Sequence, residues 1–496
     1  MSEDRRIRKI VILGGGTAGW IAASMLARTA PEHQCAITVI ESSDIGTVGV
    51  GEATIPPLID LLRMLGINEA DFIRHTESTY KLGIQFHGWR KAGESYWHPF
   101  GAFGMNINRR PFHHFFLKSR LAGQQPRIAD YSICAALGDA GKFQQPDARN
   151  EAGLRYALHF DAGLVANYLR AYATQLGVER IDRRVSGATL RPDGFVEALA
   201  CEDGSRIAGD LFLDCSGFRG VLIEECLKTG YLDWRDVLPC DRAVATQTGI
   251  AAGLPPFTVA TACDAGWRWR IPLRHRTGNG YVFSSAHVSE QQASDDLVRA
   301  LGERSLTDVR TLRFITGRRR IFWNRNCIAL GLSAGFLEPL ESTSIQLVIN
   351  AVWNLLDHFP DQDFDARNRD SFNAELIEEF EGVRDFIVLH YCLTQRDDTA
   401  FWQQCQSLKI PDSLAQRLEL YRATGRIRTG PRELFTDLSW FYVLDGMGVV
   451  PRSIDPLVDG PLFAQVQDLL ANYRAGIRSQ VNLAPAHAGQ FATPVQ

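Results

Sequence analysis

The apolar run Ile7–Leu13 ends in the glycine-rich segment Gly14–Trp20 (GGGTAGW), and a helical pattern begins at Ala18 and continues to Thr29. A second apolar run, AITVIE, closes on Glu41. Few folds accept this succession. A short continuous apolar run that stops at glycine reads as a strand buried on both faces, as in a parallel sheet. The spacing Gly14-x-Gly16-x-x-Gly19 suits a strand-to-helix turn. The first glycine makes the tight bend, the second lets a pyrophosphate approach the backbone, and the third lets helix and strand pack closely. Glu41 ends the next strand, about where an acid meets a ribose 2′-hydroxyl. The N-terminus is therefore expected to form a βαβ unit that binds a dinucleotide through Gly14, Gly16, Gly19 and Glu41. A tight glycine turn with no ligand is the plainer alternative.

Two later strand-to-glycine segments, DLFLDCSGFRG at 210–220 and CIALGLSAGF at 327–336, bear on which dinucleotide is bound. Repeated returns of this kind suit a long FAD lying across the sheet better than a simple NAD site. No second complete GxGxxG is present, so reduction of the flavin is expected elsewhere.

The remaining features narrow the class. A net charge of −4 over 496 residues gives no footprint for nucleic acid or an anionic membrane. No stretch is long and apolar enough to span a bilayer, and the N-terminus lacks a signal-peptide pattern, so a soluble cytoplasmic protein is expected. The ten cysteines lack CxxC or zinc-ligand spacing and read as reduced thiols, and no metal is expected. His113-His114 and His390-Tyr391-Cys392 also lack metal-site spacing. Helices are expected over Pro57–Leu65, Asn68–Thr76 and Asn373–Leu393. Another, capped by Asp161, would bury Leu164, Tyr168, Leu169, Tyr172 and Leu176 on one face. The stretch LEPLESTSIQL at 337–347 reads as a helix start with Glu341 beside its bare amides, and the helix follows Ser344, with Ile345, Val348, Val352, Leu355 and Leu356 at helix spacing. The fold class is α/β, with an FAD-binding module over 1–345 and a mostly helical substrate-binding portion over 346–496. The last dozen residues read as a loose tail.

Four blocks resemble one known family. GWRWRIP, with Trp267, Trp269, Ile271 and Pro272, is similar to the W-x-W-x-I-P signature of flavin-dependent halogenases. GGGTAGW at 14–20, STYKLGIQF at 78–86 and EPLESTS at 338–344 resemble the other blocks of the tryptophan-halogenase branch, in the right order and over most of the chain. The resemblance implies a flavin-monooxygenase-like fold with FAD contacts at Gly14, Gly16, Thr17, Ala18, Gly19, Glu41, Gly49, Ala53 and Leu332. It implies an oxidoreductase that uses FADH2, O2 and chloride or bromide, and a separate NAD(P)H-dependent flavin reductase. It leaves room for a homodimer. Lys81 matches the lysine that receives hypohalous acid, and Glu341 the glutamate that assists attack or takes the ring proton. Thr343 and Ser344 match the halide-binding amides, although many relatives have glycine where Ser344 stands. The paired tryptophans are expected to wall the flavin side of the passage. Taken singly, Lys81, Glu341, Trp267 and Trp269 would read as a surface lysine, a helix-terminal acid and core indoles.

WHPFG at 97–101 resembles the segment that contacts an indole ring, which assigns His98 and Phe100 to the small-molecule aromatic substrate. Tryptophan-specific relatives carry a Phe-Trp pair and a tyrosine pair near the C-terminus. Here Phe435-Thr436 and Trp440-Phe441-Tyr442 stand in that region, which points to an indole-type substrate other than free tryptophan. A flavin-dependent aromatic hydroxylase is the alternative, and it would have no use for Lys81 with Glu341.

Overall fold

The computed structural model describes residues 5–29, 35–45, 51–147, 153–302, 305–458 and 463–491. The chain forms two compact units, each assembled from three separate segments. The first takes residues 1–78, 160–235 and 314–381; the second takes 79–159, 236–313 and 382–496. The expected division after residue 345 therefore falls inside the first unit. The helix Ser344–Asp357 crosses that point, and the start of the long helix Ala366–Cys392 also belongs to the first unit. Strands do give way to helices after Gly335–Phe336, as the sequence pattern indicated.

The first unit is built on a six-stranded sheet with Lys9–Leu13 near its middle. This strand pairs in parallel with Ala36–Glu41 on one side and Leu211–Asp214 on the other. Glu179–Asp182 and Cys327–Ala329 extend the parallel set outward, and Trp323–Asn324 adds a short antiparallel edge. Ile10, Val11, Ile12 and the facing Phe212 and Leu213 are fully buried. Each such side chain contributes about 1.5–3 kcal/mol by leaving water. The helix Thr17–Thr29 makes the crossover between the first two strands and packs on the helices Ala162–Gln175 and Ser344–Asp357.

Asp161 caps the helix Ala162–Gln175 as expected, accepting from the amides of Gly163 and Leu164 at 3.0 and 3.2 Å. The buried face differs from the expected one. Ala162, Val165, Ala166, Leu169 and Ala173 face inward, Leu164, Tyr168 and Tyr172 are half-buried, and Leu176 is exposed. The small residues let this helix lie close to Thr17–Thr29. The tyrosines use their hydroxyls instead: Tyr168 donates to Asp71 at 3.0 Å and Tyr172 to the Leu65 carbonyl. Amphipathicity by residue size misplaced the stripe because tyrosine can pack with its tip satisfied at a rim.

The second unit holds a seven-stranded sheet: Arg310–Arg313, Arg242–Thr248, Thr277–Phe283, Gly266–Pro272, Thr258–Cys263, Gly83–His87 and Ser95–Pro99, in that order. All its pairings are antiparallel except Thr258–Cys263 with Gly83–His87. The two-residue strand Gly335–Phe336 belongs to a small sheet of the first unit. The segment expected as a loose tail is partly ordered. His487–Phe491 forms a 3₁₀ turn, His487 is fully buried, and residues 492–496 lie outside the described residues. Among the described residues, no helix is long and apolar enough to cross a membrane, no His, Cys, Asp and Glu cluster could hold a metal, and no cysteine is disulfide-bonded.

Asp214 closes the strand Leu211–Asp214. It is fully buried, and its carboxylate accepts from the amides of Ser216, Leu222 and Ile223 at 3.0, 2.8 and 2.8 Å. Asp214→Ala should lower stability by about 3 kcal/mol, because it strands buried donors. Chemical denaturation checks this; an unchanged midpoint would mean the amides find other acceptors.

Candidate active site

The glycine fingerprint lies where the parallel sheet ends. The Gly14 amide donates to the Ile40 carbonyl at 2.8 Å and the Cys215 amide to the Leu13 carbonyl at 2.8 Å, so three neighbouring strands finish together. Gly14 has a φ of 115°, and a Cβ there would stand 2.3 Å from the Cys215 carbonyl oxygen. A Cβ on Gly19 would meet the Gly14 carbonyl oxygen at 1.9 Å. A Cβ on Gly16 would meet nothing within 4 Å. Two glycines are therefore demanded by the protein's own packing. The third faces open space at the mouth of a helix whose first amides have no carbonyl partner within the helix, which is the shape a pyrophosphate needs.

Thr17 opens that helix, and its hydroxyl reaches the Ala162 carbonyl at 3.5 Å. A Cβ on Gly331, at the start of the 3₁₀ turn that carries Leu332, would stand 2.9 Å from the Ala18 methyl. Ser333 in the same turn donates to the Asp214 carbonyl, which ties the later glycine segment to the same end of the sheet. Glu41 leans over Gly15 and is engaged by Arg180 and, at 3.5 Å, by Arg170. Gly49 lies outside the described residues. Ala53 is half-buried in the short strand Gly51–Ala53. Its neighbour Glu52 has a carboxyl pushed up to about 7 by burial and by the nearby charge of Asp161. The structure thus gathers Gly14, Gly16, Thr17, Ala18, Gly19, Glu41 and Leu332 at one end of one sheet.

Glu341 stands just ahead of the helix, which begins at Ser344 as expected. It ends a 3₁₀ turn, Pro339–Glu341, and is 1% exposed. Ser342 then adopts a left-handed backbone, with φ 59° and ψ 37°, which reverses the chain. Thr343 becomes the N-cap and the helix starts at Ser344. The carboxylate is thereby kept out of the first helical turn, and that turn's amides are left to Thr343, Ser344 and the residues after them. The buried Thr343 hydroxyl does not cap the helix and has no hydrogen-bond partner among the described residues.

In the second unit, Lys81 is 0% exposed, which removes the reading of a surface lysine. It ends the three-residue strand Thr79–Lys81, paired antiparallel with Ala157–Asp161. Its Nζ stands 5.2 Å from the centroid of the Phe100 ring. A cation over an aromatic face is attracted by the ring quadrupole. His98, also buried, neighbours the rings of Phe386 and Phe435 at 5.4 and 6.1 Å, and those two rings stack at 3.8 Å. Trp440 packs edge-on against Phe386, while Phe441 and Tyr442 are core residues. The structure therefore brings Lys81 to Phe100, one residue past the strand Ser95–Pro99 that carries His98.

The W-x-W-x-I-P strand, Gly266–Pro272, supports the strand of Lys81. Trp267 is fully buried beside Trp89, Trp269 is half-buried and covers Gly280, and Ile271 is buried. The Pro272 carbonyl accepts from the Thr79 hydroxyl at 2.7 Å. Thr79 and its further partner His159 were not singled out from the sequence. Two signals existed: alternation puts Thr79 on the same face as Lys81, and a histidine interrupts the otherwise apolar start of ALHFD.

A doubly anchored glycine turn at the end of a parallel sheet fits the class of dinucleotide-binding enzymes. The chain is similar over 99% of both lengths to BrvH, a flavin-dependent halogenase from Brevundimonas sp. BAL3, with a TM-score of 0.95 and 45% identity. It is similar over 98% of both lengths to Xcc4156, a flavin-dependent halogenase from Xanthomonas campestris, with a TM-score of 0.94 and 42% identity. The tryptophan 7-halogenase RebH of Lentzea aerocolonigenes is 36% identical over 490 residues, 91% of each chain. The tryptophan halogenase profile matches residues 9–461, and the chain belongs to the tryptophan halogenase family, a family of flavin-dependent enzymes.

Gly16→Ala should leave the melting temperature unchanged yet weaken FAD binding by about tenfold or more, about 1.4 kcal/mol, because the added methyl occupies the open cradle. Gly19→Ala should destabilise the fold through its collision with the Gly14 carbonyl. Thermal melts with flavin titration check both; equal FAD affinity in Gly16→Ala and the parent would exclude this loop as the cradle.

Proposed function

We propose that this protein is an FADH2-dependent halogenase that uses O2 and chloride or bromide to halogenate an indole-type aromatic ring, with Lys81 handling the halogenating species. The observation that carries this reading is the complete burial of Lys81 against the Phe100 ring. Lysine is almost never fully buried, and one that is can offer its amine to a reactant in a site away from bulk water. Reduced FAD, held by the Gly14–Gly19 loop and renewed by a separate NAD(P)H-dependent flavin reductase, supplies the reducing equivalents that turn O2 and halide into hypohalous acid.

The amides of Thr343 and Ser344 are the proposed halide donors. They open a 14-residue helix whose positive end favours an anion. The Lys81 ammonium donates a hydrogen bond to hypohalous acid and polarises the halogen toward attack by an electron-rich ring. The Glu341 carboxylate stabilises the positive charge that develops on the ring and accepts the departing proton. His98 and Phe100 orient the ring.

The curated relatives are named for acting on tryptophan, among them the tryptophan 6-halogenase of Streptomyces toxytricini, 36% identical over 447 residues, 85% of each chain. In this chain, Phe435 is stacked on Phe386 and followed by Thr436, and Trp440, Phe441 and Tyr442 are all buried. That arrangement supports a simpler indole, or an indole within a larger molecule, over free tryptophan.

Mass spectrometry of an indole panel, incubated with FAD, a flavin reductase, NADH and either halide, tests the reading directly. Products gaining halogen are expected; products gaining oxygen instead would favour an aromatic hydroxylase. Lys81→Ala should abolish halogenation and spare FAD binding, and substantial remaining turnover would reject the lysine's role. Glu341→Gln should slow halogenation by about a hundredfold while oxidant output from the flavin persists. A parallel collapse of oxidant output would move Glu341 to the halide site.

A further inference from the structure

The strand that carries Lys81 is three residues long, so its backbone ladder alone holds it weakly. Its register sets Thr79 opposite His159 and Lys81 opposite Ala157. Because successive side chains alternate, Thr79, Lys81 and His159 share one face, and Tyr80 lies on the other. Three side-chain hydrogen bonds converge there. The Thr79 hydroxyl donates to the Pro272 carbonyl at 2.7 Å and lies 3.0 Å from His159 Nδ1; His159 Nε2 lies 2.9 Å from the Thr258 hydroxyl.

The protons in this chain can be assigned by elimination. A hydroxyl has one proton, and that of Thr79 is committed to the Pro272 carbonyl. Thr79 must therefore accept from His159 Nδ1–H. In a neutral ring the other nitrogen accepts from the Thr258 hydroxyl. The network closes with a neutral imidazole, and a second ring proton would turn Thr258 from donor to acceptor. His159 is fully buried, and burial first, then the positive charge of Lys81 and the proximity of His487, hold its pKa well below the ordinary histidine range. His487 is itself held near 4 by burial, with Nδ1 on the Leu254 carbonyl at 2.6 Å.

We propose that His159 is a positioning residue for Lys81: as a neutral bridge between Thr79 and Thr258 it fixes the short strand that presents the amine, and it adds no positive charge beside it. The bridge links Thr79–Lys81 to Thr258–Cys263 and, through Thr79, to the end of the W-x-W-x-I-P strand. That motif thus acts on the lysine through the Pro272 carbonyl. The catalytic part of this inference rests on the role proposed for Lys81; the placement part does not.

The chain has seven lysines, few enough to resolve by NMR of the full-length protein labelled with ¹³C at lysine Cε. The Lys81 signal is identified by its loss in Lys81→Ala. His159→Phe removes both bridges, and His159→Asn keeps a donor toward Thr79. In His159→Phe the Lys81 signal should shift or broaden, and kcat should fall by about tenfold with KM within about twofold, since the loss is in presentation of the amine and not in substrate binding. His159→Asn should recover part of kcat, and it decides the matter if His159→Phe does not fold. A histidine whose folded pKa is depressed gives stability that is complete above about pH 6.5 and declines as pH falls below it. The stability of His159→Asn should therefore change less between pH 7 and 5 than that of the parent. A Lys81 signal and a kcat unchanged in both variants would overturn the proposal. A moved signal in His159→Phe, together with full turnover in Lys81→Ala, would support the placement and overturn the catalytic reading of Lys81 alone.

Discussion

The first unit depends on one contact that leaves no room for a side chain: the Gly14 carbonyl oxygen would lie 1.9 Å from any Cβ on Gly19. This approach brings the helix Thr17–Thr29 down onto the end of the strand Lys9–Leu13. Helix amides can then face a ligand that the adjoining strands frame. The later glycine segments serve the same end of the sheet. Asp214 turns the chain by binding three amides, and Ser333 returns a hydroxyl to the Asp214 carbonyl. One end of one sheet is thus assembled from residues hundreds of positions apart, and within the first glycine loop Gly16 is the residue that faces open space.

The second unit solves a different problem. It buries a lysine completely and holds the strand that carries it. Backbone pairing over three residues cannot do that alone, so side chains from distant strands complete the job. Thr79 is tied to Pro272 and His159, and His159 to Thr258; the Phe100 ring takes up the cation. The tryptophans of the signature strand act mainly as mass. Trp267 packs on Trp89 in the core, and Trp269 fills the space over Gly280, which keeps the strand ending in Pro272 in place.

What the sequence made legible was what is local. The glycine spacing, the Asp161 cap and the helix Pro57–Leu65 each depend on neighbours within a few residues. Three features escaped for the opposite reason. The reversal at Ser342 needs a left-handed backbone that serine does not advertise as glycine would. The face of Ala162–Gln175 is decided by how near its neighbours come, not by which of its residues are largest. The Thr79, His159, Thr258 and Pro272 chain joins four strands, and no window along the sequence contains it. Family blocks pointed to Lys81, but only the fold shows what holds it in place.

The far side of the lysine strand has a practical bearing on handling the protein. Tyr80 stacks on Phe143 at 3.9 Å and meets Phe491 at 5.6 Å, and the Phe143 amide donates to the Pro485 carbonyl. Trimming the chain back to Leu483, a natural choice for a crystallographer or an engineer seeking a tidier terminus, would strip His487 and Phe491 from the aromatic cover of the residue beside the amine and leave Phe143 and Tyr156. An affinity handle is better placed at the opposite end of the polypeptide.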